Sequence, residues 1–314
     1  MGRTDEKTAE FLSRKAIFAD VFNHGIFGGR PVPDADNLSE ADSISRHKHE
    51  EAKYRDVIKK YDDKMICMSL GVENQQKIHY AMPLRVMDYD LRSYEKQRRE
   101  IQKEHNRKKD LKEDAFLGGF SEGDRLTPVV TLVLYWGKEP WKGPRDLHDI
   151  LDIPEKLKEY SSLIANYPMY LLDISQITSF ETYADELKRV FGFVKNQNDP
   201  VKLLQYIHDN EELFHNVPRE EVQLIRAVTN SKELETYAED ESEEEIDMCE
   251  ALTLLREESK QEGRQEGRQE GRREGCNEMA RLIQCLMKDN LTEDLLRITK
   301  DGAYREQMFK KYNI

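Results

Sequence analysis

The chain has 314 residues, enough for one or two domains with a sizeable core, and carries a net charge of -13. Only 38% of its residues are hydrophobic while 35% are charged, which implies a compact core with highly charged helical or disordered extensions. So acidic a chain does not attract nucleic acid over its whole surface, and any such contact must be made by a local basic patch.

The opening MGRTDEKTAEFLSRK lacks the apolar stretch of a secretory signal. Glu6 departs from the myristoylation pattern despite Gly2. No apolar run approaches the roughly 18 residues of a membrane span, so no membrane association is expected. Cys67, Cys249, Cys276 and Cys285 show no CxxC spacing and read as free thiols, as in a reducing cytoplasm.

In chain order, Ile17, Phe18, Val21, Phe22 and Ile26 recur at helical spacing over 15–27, and Gly28-Gly29 stops that helix. The next segment, PVPDADNL, reads as loop. Residues 54–61 and 65–75 are rich in Val, Ile, Met and Tyr around Asp62-Asp63-Lys64, which predicts a β-hairpin. A long charged helix is predicted over 81–109. PVVTLVLYW, residues 128–136, reads as a buried central strand because it is apolar without alternation. A short helix over 146–151, a buried strand over 167–174 and a helix over 180–194 come next. That order is the pattern of an α/β sandwich.

Past Asn196 the character changes. Residues 200–236 predict two or three short helices, and EDESEEE (239–245) reads as a solvated linker. KQEGRQEGRQEGRREG (260–275) repeats a four-residue unit. Each Gly costs a helix about 1 kcal/mol against Ala, so a marginal helix or a flexible ion-paired spacer is expected. Leu282, Ile283, Leu286, Leu295, Leu296 and Ile298 suit a small helical pair in the tail, able to serve self-association or a protein partner. The expected division is 1–195, then 196–250 with its acidic linker, then 251–314.

The chemistry-bearing constellation lies in the hairpin. Alternation along 65–75 puts Glu73 and Gln75 on one face of the second strand, and Asp56 lies in the first. Two carboxylates and a backbone carbonyl can hold Mg²⁺ or Mn²⁺, which prefer oxygen ligands. A two-residue turn at Asp62-Asp63 would set Glu73 opposite Ala52; a longer loop or a bulge would bring it nearer Asp56. Asp62 or Asp63 is the alternative metal acid. Along 81–109, Arg85, Arg92, Lys96 and Arg99 fall near one face that could meet DNA phosphates, with a solvated helix as the plain alternative. His79 could line the site. His47 and His49 find no further ligands in a zinc pattern, and no P-loop, GxGxxG or GxSxG motif occurs.

Asp56, then GVENQQKIHYAMP, PVVTLVLYWG, WKGPR and LHDIL in order, with FADVFN before them and an EGR-repeat tail after, resemble the Rpn-type recombination-promoting nuclease or putative transposase family, related to PD-(D/E)XK endonucleases. The resemblance covers roughly residues 15–275. It implies an α/β fold with a PD-(D/E)XK nuclease-like core, a central mixed sheet flanked by helices, and a helical, charged C-terminal extension. It further implies a Mg²⁺-dependent DNA endonuclease. Asp56 and Glu73 would be metal ligands, the Asn74 carbonyl would complete the set, and Asp20 would assist from the first helix. Gln75 stands where related enzymes carry Lys; it can orient water by hydrogen bonds but supplies no charge. That departure keeps a second reading open, a weak or inactive nuclease fold that works by binding DNA or protein. A role against a host chromosome would leave the same sequence signature as one in recombination.

Overall fold

The computed structural model describes residues 3–40, 57–62, 64–72, 78–111, 118–231, 234, 235, 237 and 244–314. The chain divides into two units, Met1–Cys249 and Glu250–Ile314.

In the first unit, helices α1 (Arg3–Ser13) and α2 (Lys15–Phe27) lead into strands β1 (Leu38–Glu40), β2 (Val57–Tyr61) and β3 (Met65–Val72). Helix α3 (Met82–Lys108) then precedes β4 (Val129–Tyr135) and β5 (Tyr170–Asp173). The five strands form one sheet in sequential order. The first three pair antiparallel, and β3, β4 and β5 pair parallel. The fold is therefore mixed α/β, with α3 as the crossover a parallel pair requires.

Strand β4 explains its own composition. Val133 and Tyr135 pack with Met82 and Val86 of α3. The alternate residues Leu132, Leu134 and Trp136 are also buried. Trp136 meets Phe191 edge-on, with ring centroids 5.4 Å apart, and Leu132 lies so close to α2 that a Cβ on Gly25 would sit 2.7 Å from it. With both faces covered, no position of the strand can be polar without a partner. Helix α3 obeys the same logic one-sidedly: Met82, Val86, Asp90 and Ser93 are buried, while Leu84 and Leu91 on its outer face are exposed.

Gly28 ends α2 in the left-handed region at φ 62°, and the N–H of Gly29 bonds Asn23 O at 2.8 Å. The segment beyond is not all loop. Leu38 is buried, and Leu38–Glu40 pairs with Lys59–Tyr61; a strand this short leaves too little alternation to be read from sequence. Helix α1, also unforeseen, buries Phe11 and Leu12 and packs on the helix Arg219–Thr229. The predicted helix over 146–151 is a single 3₁₀ turn, His148–Ile150, and a second 3₁₀ stretch spans Glu155–Leu163; Pro154 cannot donate the bond that would carry one into the other. The helix expected from 180 begins at Asp185.

The helices α4 (Asp185–Asn196), α5 (Pro200–Asp209), α6 (Glu211–Phe214) and α7 (Arg219–Thr229) follow in this unit. A two-stranded ribbon, β6 (Val217–Pro218) with β7 (Glu245–Ile246), brackets α7. Arg189 of α4 and the buried Glu221 of α7 form a two-pronged ion pair at 2.7 and 3.0 Å.

Helix α8 (Met248–Lys288) starts at the end of the first unit and runs through the whole EGR repeat as continuous helix, so the spacer is the helical one of the two forms its sequence allowed. Its last turns join α9 (Thr292–Lys300) and α10 (Gly302–Tyr312) around Leu282, Leu286, Ile298 and Met308. This is the expected helical pair, closed by a third helix. Among the described residues, no helix is long and apolar enough to cross a membrane.

Candidate active site

The hairpin carries the predicted metal site. Val57 pairs with Ser69 and Tyr61 with Met65, so the loop is Asp62 to Lys64, one residue longer than the two-residue turn. Asp62 opens the loop in the left-handed region at φ 47°, and the N–H of Lys64 bonds Tyr61 O at 2.9 Å. Asp56 directly precedes the first residue of β2, and Glu73, Asn74 and Gln75 come directly after the last residue of β3. These four, with Asp63, His47 and His49, lie outside the described residues. Asp62 is exposed in the loop.

The strand register aligns the carboxyl ends of the parallel strands. Val72 pairs with Tyr135, and Tyr135 with Asp173, so β3, β4 and β5 finish at one level. In open α/β sheets ligands bind beyond the carboxyl ends of parallel strands, and Glu73 is the next residue in sequence after Val72.

The described residues at that edge are closely tied. Asp173 is buried; one carboxylate oxygen accepts from Trp141 N at 2.8 Å, the other from Ser175 N at 3.0 Å and Ser175 Oγ at 2.7 Å. Trp141 in turn meets Tyr135 edge-on at 5.1 Å. Asp173 is thus committed to holding two loops. His79 is different: its Nδ1 is buried and finds no hydrogen-bond partner among the described residues. Nearby Ile78 approaches Gly143, where a Cβ would lie 2.3 Å from Ile78 Cγ2. That contact docks the start of α3 against the loop beyond β4.

A second carboxylate escapes sequence reasoning. Asp90, buried inside α3, accepts from Thr131 Oγ1 of β4 and from Tyr167 Oη at 2.5 Å. Burial holds its carboxyl above the usual carboxylate range, against the pull of both hydroxyls. An Asp seven residues before Gln97 in a helix otherwise charged outward gives no signal; only the polar Thr131 inside an apolar strand hints at a partner.

Asp20 of α2 accepts from Ala184 N at 2.7 Å and faces His24 Nδ1 at 2.9 Å. His24 stacks on Tyr183 at 3.6 Å, and burial with the charge of Asp20 pushes the Tyr183 hydroxyl up to about 12. Asp20 therefore anchors α2 to the start of α4.

On α3 the candidate phosphate contacts sit among acids. Arg92 pairs with Asp88 at 2.7 Å, and Arg99 lies 3.9 Å from Glu95, which Arg98 also grips. Arg85 places its guanidinium 5.4 Å from the Tyr89 ring centroid and donates to Tyr89 Oη at 3.3 Å. Lys96 is half-buried. Local pairing offsets much of the positive charge that would draw phosphate.

No curated protein and no solved structure matches the chain. A family model described as "Putative transposase, YhgA-like" matches residues 64–225, from the hairpin loop through β3, α3, β4 and β5 into α7, which is more than half of the chain. The chain belongs to the YhgA-like putative transposase family.

Proposed function

We propose that the protein is a metal-dependent DNA endonuclease with a PD-(D/E)XK-type core, acting in recombination or mobile-element biology. The observation that carries this reading is topological. A helical start, three antiparallel strands, a crossover helix and a strand parallel to the third give a sheet whose parallel strands end together at Val72, Tyr135 and Asp173, and Glu73, Asn74 and Gln75 follow Val72 in sequence. A catalytic constellation is expected at such an edge.

The donor set fits Mg²⁺ or Mn²⁺: carboxylates of Asp56 and Glu73 and the carbonyl of Asn74, all hard oxygens. When bound, the cation would acidify the attacking water and neutralise charge at the phosphodiester. Gln75 orients the water or a phosphate oxygen through its amide, and Asp20 supports the site from α2. Arg85, Arg92, Lys96 and Arg99 supply salt-sensitive phosphate contacts. The reading makes one demand on the hairpin. Val57 pairs with Ser69, four residues short of Glu73, so an unbroken ladder would stagger Asp56 and Glu73 by about 10 Å. A bulge or bend past the ladder must close that gap.

The test is plasmid cleavage at low salt with Mg²⁺, with and without EDTA. Wild type should cleave, while Glu73→Ala and Glu73→Gln each lose about 100-fold or more, because a neutral amide is a poor Mg²⁺ ligand. Full activity in Glu73→Gln would refute the metal assignment. The acids that pair Arg92 and Arg99 favour the second reading, a nuclease fold that binds without cutting. Inactivity of both wild type and Gln75→Lys would select it.

A further inference from the structure

We propose that His215, Asp247 and Cys249 form a binding site for a divalent transition metal of the zinc class. The ribbon brings them together. Val217 pairs with Ile246, Pro218 with Glu245, and Arg219 N bonds Glu244 O at 3.0 Å. This register carries the segment before β6 and the residue after β7 to the same end. His215 Nδ1 accordingly lies 2.8 Å from Asp247 Oδ2, and Cys249 lies in the first turn of α8. The three donor atoms lie within 4.8 Å of one another. Around tetrahedral zinc, with bonds of about 2.0–2.3 Å, donors stand about 3.3–3.8 Å apart. The cluster reaches that geometry if the His–Asp hydrogen bond opens by about half an ångström and the Cys249 sulfur closes by up to about 1 Å.

Two further features point the same way. His215 Nε2 faces Glu211 Oε1 at 3.3 Å. With Nδ1 turned to the metal, Nε2–H donates to that carboxylate, the outer contact that fixes the ring of a metal-binding histidine. The donors are one imidazole nitrogen, one carboxylate oxygen and one thiolate sulfur, a mixture that suits Zn²⁺ or Co²⁺ and not Mg²⁺. The site is therefore chemically separate from the oxygen ligands of the hairpin. Ligation displaces the Cys249 thiol proton to solvent, and a water completes four-coordination. All three ligands belong to the first unit. The metal would clamp the residues that enter α8 to the corner between α6 and β6.

Titration of the full-length protein with Co²⁺ tests this directly. One equivalent should produce a thiolate-to-metal band in the near ultraviolet and tetrahedral bands in the red, and Zn²⁺ should bleach both. Cys249→Ser should lose the near-ultraviolet band. Cys67→Ser, Cys276→Ser, Cys285→Ser and Glu73→Ala should keep it. Asp247→Asn, which preserves shape, should weaken Co²⁺ binding, and Glu211→Gln should weaken it by about 10- to 100-fold with the spectrum unchanged in form. Absence of the bands in wild type, or their survival in Cys249→Ser, overturns the proposal.

Discussion

Single residues in this fold do work that their sequence context conceals. Asp90 is the sharpest case, a carboxylate buried to satisfy two hydroxyls from β4 and the segment before β5. Removing it strands Thr131 and Tyr167, each at about 1–3 kcal/mol, so Asp90→Ala should lower stability by roughly 2–6 kcal/mol in urea unfolding. Because burial raises the Asp90 carboxyl, the charged form works against folding at neutral pH. An Asp90→Ala penalty that grows as pH falls through the raised folded value toward the ordinary carboxylate range would agree with that sign, and one that shrinks would not. His105 has the opposite character. Its Nδ1 faces Asp110 at 2.6 Å and its Nε2 faces Asp124 at 2.8 Å, and both contacts raise the imidazole above its usual range. A raised histidine contributes stability that is complete below its unfolded value and fades as pH climbs through the folded one. The melting-temperature gap between wild type and His105→Asn should accordingly be wider at pH about 6 than at pH about 9. An equal gap at both would remove the charge from the account.

Among elements, legibility tracks burial symmetry. Strand β4 and helix α3 are plain in the sequence because one is apolar throughout and the other repeats at helical spacing; the hairpin is plain from its polar turn. Helix α1 and strand β1 are not, since Phe11, Leu12 and Leu38 are too few to set a period. The candidate acids of the hairpin emerge through motif and resemblance. Asp90, Asp173 and the His215–Asp247–Cys249 cluster depend on pairings between distant segments, which no local pattern encodes. Helix α8 sets propensity against length. A four-residue repeat advances about 400° on an ideal helix, so like residues sit at i,i+4 and their charges repel by a few tenths of a kcal/mol per pair. Gly263, Gly267, Gly271 and Gly275 each cost about 1 kcal/mol more. The repeat should therefore exchange its amide hydrogens far faster than the turn holding Leu282 and Leu286. Replacing the four glycines with Ala should slow that exchange and raise helical circular dichroism, stabilising the segment by up to about 4 kcal/mol. Unchanged exchange would mean that contacts outside the repeat hold it helical.

At the scale of the molecule, the chain divides into two units, each with its own elements. The first unit carries the sheet, the hairpin and the arginine-bearing face of α3. The second is built around its own core of Leu282, Leu286, Ile298 and Met308. A chain ending at residue 259 keeps the whole first unit and loses only the repeat and the helices beyond it. Such a truncation should unfold cooperatively with a stability within roughly 1 kcal/mol of the same transition in the full chain, because no core residue of the sheet is removed. Its cleavage of plasmid DNA, under the proposed function, should match the full chain at low salt. The comparison at higher salt is the more informative one. If Arg85, Arg92, Lys96 and Arg99 supply the phosphate contacts, both chains should lose affinity with the same log–log salt slope, reduced by about 1 for each of these cations replaced by Ala. A shallower slope after truncation would assign phosphate contacts to the basic residues of the repeat instead, and α8 would then belong to the DNA-binding surface.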